Sequence, residues 1–190
     1  MYAPYLDTPI TFECDEPSPA EFRERMARVR TFYPYLVAEL AGGIVGFAYA
    51  HRQAGRAAYG WNVELSAYLA PGRTGGGIGS SLYAALIELV RLQGAKAAYA
   101  LVTVPNEASE HLHEAFGFER IGLQPKAGWK ADAWHDVAWL RKELAPYDGK
   151  PEPLVAFPEL AAARPEAVQS VLDRANAQIA AQTAHSGRRG

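Results

Sequence analysis

The sequence has only one cysteine, Cys14, in 190 residues, so the chain cannot form an internal disulfide bond. A single cysteine is typical of a reducing compartment. With no base visible beside it, Cys14 is interpreted as an inert thiol rather than a nucleophile. No apolar run approaches the roughly 20 residues of a membrane span, and no signal peptide opens the chain. We therefore expect a cytoplasmic protein with no membrane partner.

The sequence also lacks a large excess of either sign of charge, because 19 lysine and arginine residues are balanced by 21 aspartate and glutamate residues, for a net charge of −2. The sequence therefore lacks the large basic surface that nucleic acid binding requires. Its hydrophobic content of 49% is that of an ordinary globular protein. The length suffices for one domain with a sizeable core, over residues 1–145, and an appendage over residues 146–190.

The appendage differs in composition from the rest of the chain. Residues 146–158 are rich in proline, which predicts a linker. Apolar residues recur at helical spacing from Pro165 to Ala181, which predicts an amphipathic helix. The polar end from Ser186 to Gly190 is typical of a disordered terminus.

A strand, a glycine-rich turn and the start of a helix form the central stretch of the chain. The strand alternates apolar residues from Val63 to Leu69, and Pro71 with Gly72 ends it. Four glycines precede or open the helix predicted over Ile78 to Leu92. The first N–H groups of a helix have no partner within it, and glycine lets a bulky anion come close to them. The turn is therefore a candidate phosphate-binding loop, with a plain turn as the alternative; its spacing fits neither the P-loop nor the dinucleotide pattern.

The remaining segments predict a mixed sheet covered by helices. A capping box at Ser18–Glu21 predicts a helix that ends near Arg28. The predicted order after it is hairpin, strand, helix, strand, helix, strand, loop and strand. Apart from the central stretch, the strands are placed at 35–39, 44–51, 95–104, 118–123 and 134–143, the second helix at 106–116 and the polar loop at 124–133.

Two groups of motifs give the sequence a resemblance to a known family. The glycine-rich turn, followed by Pro105-Asn106 and by Leu112-His113-Glu114 with Phe116-Gly117-Phe118, resembles the GNAT N-acetyltransferase superfamily. The string Tyr59-x-Trp61-x-Val63-Glu64-x-Ser66-x-Tyr68, with Lys130 and Trp134-x-Asp136-Val137, resembles its phosphinothricin and methionine sulfoximine N-acetyltransferase branch. The resemblance covers roughly residues 1–145 and implies an α/β (α+β) fold with a splayed central sheet. It also implies acetyl-CoA as co-substrate, no metal, a small-molecule amine acceptor and a homodimer.

The ends of the chain depart from this branch. Its members carry a strand and most of a helix before the segment that matches Tyr2–Tyr5, so the first strand of the fold is expected to be missing here. Residues 146–190 have no counterpart in the branch, so the helix predicted there is an extra one. Either it covers the face that the missing elements leave bare, or it docks elsewhere.

Glu64 and His113 are the candidate catalytic residues. Glu64 sits mid-strand between apolar neighbours, where partial desolvation would raise its pKa and suit it to accept a proton; the alternative is a solvated strand face. The resemblance also places the proposed base of the branch at Glu64. His113 occupies the place where many superfamily members carry a tyrosine that protonates the departing thiolate, and a plain core or surface histidine is its alternative.

The resemblance implies a set of backbone contacts to acetyl-CoA. The main chain of Ala67, Tyr68 and Leu69 would pair with the pantetheine arm and point an N–H at the thioester oxygen. Asn106 is expected both to cap its helix and to contact that arm. The diphosphate loop would consist of Gly75, Gly76, Gly77, Ile78, Gly79 and Ser80. Thr74 stands where the superfamily has Gln or Arg, so Arg73 is expected to act as a substitute phosphate partner, or to be solvated.

Tyr59, Trp61 and Lys130 are the candidate acceptor-binding residues, since aromatic walls with a few polar groups suit a small amino acid. Trp134 is expected in the core. Gly60 and Asp132-Ala133 replace residues that carry positive charge in the branch, which weakens phosphinothricin itself as the acceptor. We therefore interpret the sequence as that of an enzyme that transfers an acetyl group from acetyl-CoA directly to an amine, in a ternary complex. Its rivals are transfer to a peptide N-terminus or polyamine, a non-catalytic acyl-CoA-binding module, and a nucleotide-binding protein.

Overall fold

A six-stranded mixed sheet lies at the centre of the structure, a computed structural model that describes residues 3–186. Its strands are β1 (Tyr35–Leu40), β2 (Gly43–Arg52), β3 (Asn62–Leu69), β4 (Ala97–Val104), β5 (Glu119–Lys130) and β6 (Ala133–Glu143). Their order in the sheet is β1-β2-β3-β4-β6-β5. Neighbouring strands are antiparallel except β3 and β4, which are parallel. The mixed α/β architecture predicted from the sequence is confirmed.

In the described part of the chain, five α-helices accompany the sheet: α1 (Pro19–Arg30), α2 (Ile78–Leu92), α3 (Glu107–Ala115), α4 (Phe157–Ala163) and α5 (Pro165–Ser186). The capping box of α1 forms as predicted: the Ser18 hydroxyl accepts from the Glu21 N–H, and the Glu21 carboxylate accepts from the Ser18 N–H. Within residues 3–186, no helix is both long enough and apolar enough to cross a membrane.

Strands β3 and β4 pair over only three residues each, and then separate. The paired residues are Asn62–Glu64 on β3 and Ala97–Tyr99 on β4, after which β4 continues alongside β6. On its other side β3 stays paired with β2 as far as Leu69. The central sheet is therefore splayed, as the resemblance implied, and the gap opens immediately after Glu64.

The register of β3 decides which of its backbone groups face the gap. Beyond the end of β3, the Ala70 N–H donates to the Val45 carbonyl oxygen on the β2 side, at 2.8 Å. Backbone groups of successive residues point to opposite sides of a strand. The groups of Leu65, Ala67 and Leu69 therefore point toward the gap, whereas those of Tyr68 point toward β2.

Helix α2 contributes many of the buried residues of the core. Its apolar stripe, which includes Leu82, Leu86 and Val90, is buried against residues of β2 and β3 such as Ala48 and Val63. Burying each such side chain stabilises the fold by roughly 1.5–3 kcal/mol. The glycine-rich turn precedes α2 directly, so its position is fixed by this packing.

Helix α5 packs against α2. Val168 and Val171 form a buried cluster with Ala85 and Leu89 of α2, and Ile179 joins the main core. The helix predicted over Pro165–Ala181 thus extends to Ser186, while residues 187–190 of the predicted disordered end lie outside the described residues. A domain boundary at residue 145 stays a prediction.

The predicted loop over residues 124–133 is wrong, because β5 and β6 form a long hairpin there. Strand β5 reaches Lys130, β6 starts at Ala133, and Ala131 and Asp132 turn between them with φ of 50° and 56°. Positive φ at both central residues is the pattern of a tight hairpin turn. Most of β5 is solvent-exposed and its register shifts between Gln124 and Gly128. Exposed, irregular strands carry the polar composition of a loop, which explains the error.

Candidate active site

Glu64 lies at the point where β3 and β4 separate. Its side chain is 21% exposed, and its Oε1 is 3.7 Å from Nε2 of His51, its partner across the β2–β3 ladder. Burial raises the pKa of Glu64 above its ordinary value, and the nearby His51 lowers it in part. The desolvation expected from the sequence is therefore present, and a carboxylate with a raised pKa is suited to accept a proton.

His113 is buried on α3 with both ring nitrogens engaged. Nδ1 lies 2.6 Å from the Ser109 carbonyl oxygen, and because a carbonyl only accepts, Nδ1 carries a proton. Nε2 lies 2.8 Å from the Tyr83 hydroxyl. Burial lowers the pKa of His113, so the ring is neutral and its Nε2 accepts from Tyr83. This tautomer follows from the partners of the two nitrogens.

Tyr83 is a functional candidate that the sequence analysis missed. It is buried on α2, and burial, together with the nearby charge of Glu64, raises the pKa of its hydroxyl. The hydroxyl thus keeps its proton and contacts Nε2 of His113. The available signal was a hydroxyl-bearing residue within the apolar stripe of α2, one turn after Gly79.

A cavity of about 100 Å³ occupies the gap between β3 and β4. Its walls include Leu65 and Ala67 of β3, whose backbone groups face this gap, and the side chains of Tyr83 and His113. The structure therefore brings the candidate acid and part of the candidate pantetheine strand together. Tyr68 also borders this cavity, with its backbone groups directed toward β2, and the Leu69 carbonyl oxygen accepts from the Tyr5 hydroxyl at 2.6 Å.

The glycine-rich loop presents its backbone where α2 begins. Gly75 and Gly77 have φ of 79° and 74°, in the left-handed region, and Gly77 stands at the N-cap without a side-chain cap. Residues that alternate between left- and right-handed backbone make concave nests of N–H groups that bind anions. A Cβ added at Gly75 or Gly76 would meet no atom within 4 Å. This side of the loop is open and fits a diphosphate, with Arg73 and Thr74 exposed beside it.

Asn106 caps α3, as predicted from the sequence. Its Oδ1 accepts from the Ser109 N–H at 3.2 Å, and its own N–H donates to the Glu110 carboxylate at 3.0 Å. Asn106 also lines the cavity in the gap. The capping role and the predicted contact to a pantetheine arm are therefore compatible.

The three residues predicted to bind the acceptor do not line the cavity in the gap. Trp61 donates from Nε1 to the Glu152 carbonyl oxygen at 2.7 Å, which ties β3 to the appendage. Lys130 is buried and donates from Nζ to the carbonyl oxygens of Thr11 and Glu13, at 2.6 and 2.7 Å. Tyr59 is 44% exposed. Trp61 and Lys130 thus have structural partners in this conformation.

Trp134 is 57% exposed, so its expected place in the core is wrong. Its indole contacts the exposed Trp129 across the β5–β6 ladder, with ring centroids 5.6 Å apart. A tryptophan within a strand predicts burial when both faces of the sheet are covered, and the β5–β6 edge is covered incompletely.

The sheet face that carries Glu64 holds a second cavity, which sequence reasoning also missed. Glu64, Ser66 and Tyr68 share this face because side chains alternate along a strand. The cavity has a volume of about 100 Å³, and its lining includes Glu13, Arg25, Tyr35, Tyr49 and Tyr68. A wider groove of about 580 Å³ lies between α1 and strands β1 and β2. Aromatic residues at alternate positions of β2 were the signal for this face.

Comparison with known proteins identifies the family. A family model described as an acetyltransferase (GNAT) domain matches residues 1–139. The chain belongs to the GNAT acetyltransferase family. The family resemblance found in the sequence is thus confirmed, as are an enzyme of the N-acetyltransferase class and acetyl-CoA as its acetyl donor. These findings decide against a non-catalytic acyl-CoA-binding module.

Individual relatives extend the match to this GNAT chain. Phosphinothricin N-acetyltransferase of Streptomyces viridochromogenes is 36% identical over 141 residues, which cover 74% of this chain and 77% of the relative. The L-methionine sulfoximine/L-methionine sulfone acetyltransferase of Pseudomonas paraeruginosa is 36% identical over 126 residues, covering 66% and 73%.

Two solved GNAT structures share the fold. The phosphinothricin acetyltransferase of Sinorhizobium meliloti, solved in complex with AcCoA, has a TM-score of 0.76 and 34% identity, over 80% of this chain and 84% of that one. The ribosomal-protein-alanine N-acetyltransferase of Brucella melitensis has a TM-score of 0.69 and 30% identity, over 74% and 88%.

Proposed function

We propose that this GNAT enzyme acetylates the amine of a small amino-acid-like compound, of the phosphinothricin or methionine sulfoximine type, by direct transfer in a ternary complex. The observation that carries the proposal is the gap after Glu64, where Tyr83 and His113 line a cavity along unpaired backbone of β3. The desolvated carboxylate of Glu64 lies where the strands part, close enough for its charge to raise the pKa of the Tyr83 hydroxyl. The names of the relatives at 36% identity support the acceptor class.

Main-chain groups of β3 and of the glycine-rich loop would hold acetyl-CoA, which supplies an acetyl group activated as a thioester. Leu65 and Ala67 offer backbone groups in the gap, and Tyr68 borders the same cavity while its backbone groups face β2. The N–H groups from Gly75 to Ser80 would receive the diphosphate, and the exposed Arg73 adds a positive charge beside them. Asn106 borders the same cavity.

Glu64 would act as the general base. An ammonium acceptor has to lose one proton before its nitrogen can attack, and a second proton when the C–N bond has formed and the C–S bond breaks. A carboxylate whose pKa is raised by burial is a better proton acceptor than an ordinary one. Glu64 takes the first proton, directly or through one water, and passes it to solvent.

Tyr83 and His113 would protonate the departing thiolate as a pair. The neutral His113 ring accepts from Tyr83 and keeps its own proton on Nδ1, bound to Ser109. The Tyr83 hydroxyl is therefore the group of this pair with a proton to give, and it would turn from Nε2 of His113 toward the sulfur as the C–S bond breaks. The second proton lost by the amine returns to the deprotonated Tyr83, so the hydroxyl is restored and the reaction releases one proton overall.

The aromatic cavity on the Glu64 face is the proposed acceptor site. It combines aromatic walls with the Glu13–Arg25 ion pair, in which Arg25 Nη1 lies 2.6 Å from Glu13 Oε1. An amino acid presents both an ammonium and a carboxylate, and each could exchange with one member of this pair. Lys130 supports this wall by binding the Glu13 carbonyl. A direct acceptor contact by Tyr59, Trp61 or Lys130 stays a prediction.

A homodimer through the β5–β6 hairpin also belongs to the proposal. Four large apolar side chains on this hairpin are 45–57% exposed: Ile121, Leu123, Trp129 and Trp134. Exposed apolar surface of this kind is typical of protein interfaces. Sedimentation equilibrium should give twice the mass of one chain, and a concentration-independent single-chain mass would contradict the dimer.

We place the enzyme in the cytoplasm, because the exposed Cys14 thiol suits a reducing compartment. Fractionation of the producing cells, with activity followed in each fraction, tests this location.

Transfer to a peptide N-terminus is the second candidate function. The 30% identity to the ribosomal-protein-alanine N-acetyltransferase favours it, and the groove between α1 and the sheet is open enough to admit a chain end. An enzyme of this kind would prefer a peptide that begins with alanine over free amino acids.

A thiol-release assay with acetyl-CoA tests the proposed function. The acceptor panel contains the common amino acids, methionine sulfoximine, methionine sulfone, phosphinothricin, a polyamine and an alanine-initiated peptide. We expect the highest kcat/KM with one of the amino acid analogues. A preference for the peptide or the polyamine would replace the proposal by its rival.

A further inference from the structure

The C-terminal end of α5 lies against the glycine-rich loop. The side chain of Gln182 adjoins Gly77, and the loop presents to it the carbonyl oxygens of Gly76 and Gly77, so its amide nitrogen faces the loop. In this orientation Nε2 is 3.1 Å from the Gly76 oxygen and 3.2 Å from the Gly77 oxygen. One side chain thus bridges two successive peptide units of the loop.

Packing between α5 and α2 fixes the place from which Gln182 reaches the loop. Ile179, three residues before Gln182, is buried in the main core, and Val171 is buried against α2. The loop is attached to the same helix, α2, at its first turn. The packing of α5 against α2 therefore fixes the distance between Gln182 and the loop.

Holding the two carbonyls also orients two N–H groups. In a trans peptide unit the C=O and N–H bonds point in opposite directions. The Gly76 carbonyl shares its unit with the N–H of Gly77, and the Gly77 carbonyl shares its unit with the N–H of Ile78. Hydrogen bonds from Gln182 on one side of the loop therefore turn these two N–H groups toward its other side.

The absence of a side chain at Gly77 is matched to this contact. A Cβ there would overlap the Gln182 side chain, whereas a Cβ at Gly76 would meet no atom within 4 Å. The Gly77 oxygen also accepts the first intrahelical bond of α2, from Ser81 at 2.9 Å. Gly77 thus joins the helix, the loop and α5 at one point.

We propose that Gln182 is a positioning residue for diphosphate binding, which makes α5 a brace for the cofactor loop. The GNAT match ends at residue 139, so this brace lies outside the matched domain. The inference rests on the proposed role of the loop in holding the diphosphate of acetyl-CoA.

Two co-substrates separate this role from a merely structural one. Acetyl-CoA carries the diphosphate, and S-acetylpantetheine carries the same thioester without it. The variant Gln182→Met keeps the length of the side chain and its preference for helix but removes the donor. Gln178→Met, at an exposed position of the same helix, is the matched control.

We expect Gln182→Met to raise the KM for acetyl-CoA about tenfold, the order of effect of losing two hydrogen bonds, while kcat/KM for S-acetylpantetheine stays within about twofold of the parent. Thermal melting establishes that the variant is folded. Gln178→Met should match the parent with both co-substrates. Equal losses with both co-substrates, or no loss with either, would overturn the inference.

The parent enzyme supplies the remaining distinction. If it shows no advantage in KM for acetyl-CoA over S-acetylpantetheine, the loop does not hold a diphosphate, and the proposed loop and this inference fail together. If it shows the advantage and Gln182→Met retains it, the inference alone fails.

Discussion

The glycine-rich loop and the gap between β3 and β4 provide their functions by different means. The loop offers main-chain N–H groups, and its ability to bind depends on backbone conformation at Gly75 and Gly77. The gap offers the side chains of Tyr83 and His113, with Glu64 at the point where the strands part, and its chemistry depends on single atoms and their protonation.

This difference predicts how each region fails. A conservative change of one side-chain atom in the gap should abolish most of the turnover and leave binding intact. A change in the loop should matter only where it alters the conformation, and it should act on binding rather than on chemistry.

Glu64→Gln should lower kcat by about 10²- to 10⁴-fold, the range that a general base contributes. The substitution keeps the size of the side chain and removes its ability to accept a proton. Steady-state kinetics give the loss in kcat, and calorimetry should show an unchanged Kd for CoA. Glu39→Gln, on the exposed face of β1, is the control and should leave both values as they are.

The same variant has a pH-dependent signature in stability. Burial raises the folded-state pKa of Glu64 above the ordinary value of 4.5. Its favourable contribution to the free energy of unfolding is thus present below that value, and is lost as the pH rises through the folded-state pKa. Glu64→Gln should therefore become more stable than the parent as the pH rises toward neutrality. Urea unfolding gives the free energy of unfolding of both proteins at pH 4 and pH 8. The same difference between variant and parent at the two pH values would argue against a desolvated carboxylate.

Tyr83→Phe should lower kcat roughly 10- to 100-fold and destabilise the fold. The change removes the proposed proton donor and leaves Nε2 of the buried His113 without its partner, which costs about 1–3 kcal/mol. Stopped-flow or steady-state thiol release and chemical unfolding measure the two effects. Tyr147→Phe, at an exposed tyrosine of the appendage, should alter neither. Full activity in Tyr83→Phe would show that solvent protonates the thiolate.

Gly77→Ala should raise the KM for acetyl-CoA about tenfold, since a non-glycine residue at positive φ is strained by about 1–3 kcal/mol and its Cβ overlaps Gln182. Gly76→Ala is the matched control, because its Cβ has open space and its φ lies outside the left-handed region. We expect that control to stay within about threefold of the parent. Equal effects of the two substitutions would mean that side-chain volume above the loop matters, rather than backbone conformation.

The local features of the loop and of β3 could be predicted from the sequence. Alternating apolar residues placed β3, glycines placed the turn, and an apolar stripe placed α2, because each of these signals lies within a dozen residues. The burial of Glu64 followed from its apolar neighbours on the same strand.

The partners of these features could not be predicted, because they come from distant parts of the chain. Tyr83 meets His113 only because α2 and α3 face one gap, and a tyrosine in an apolar stripe reads as core. Gln182 reaches Gly77 across more than 100 residues of sequence. The length of β5 was missed for a different reason, since an exposed, irregular strand has the composition of a loop.

His51→Ala should produce the smallest effect, a shift of the acidic limb of the pH–rate profile. His51 lies 3.7 Å from Glu64 and lowers its pKa, in opposition to burial. Without that charge the pKa of Glu64 should rise further, so the fall in kcat/KM on acidification should begin at a higher pH. We expect a shift of less than about one unit, since water screens a pair that is partly exposed. His111→Ala, at an exposed position of α3, should leave the profile in place. A shift toward lower pH in His51→Ala would mean that the limb reports a group other than Glu64, because removing a neighbouring positive charge cannot lower the pKa of a carboxyl.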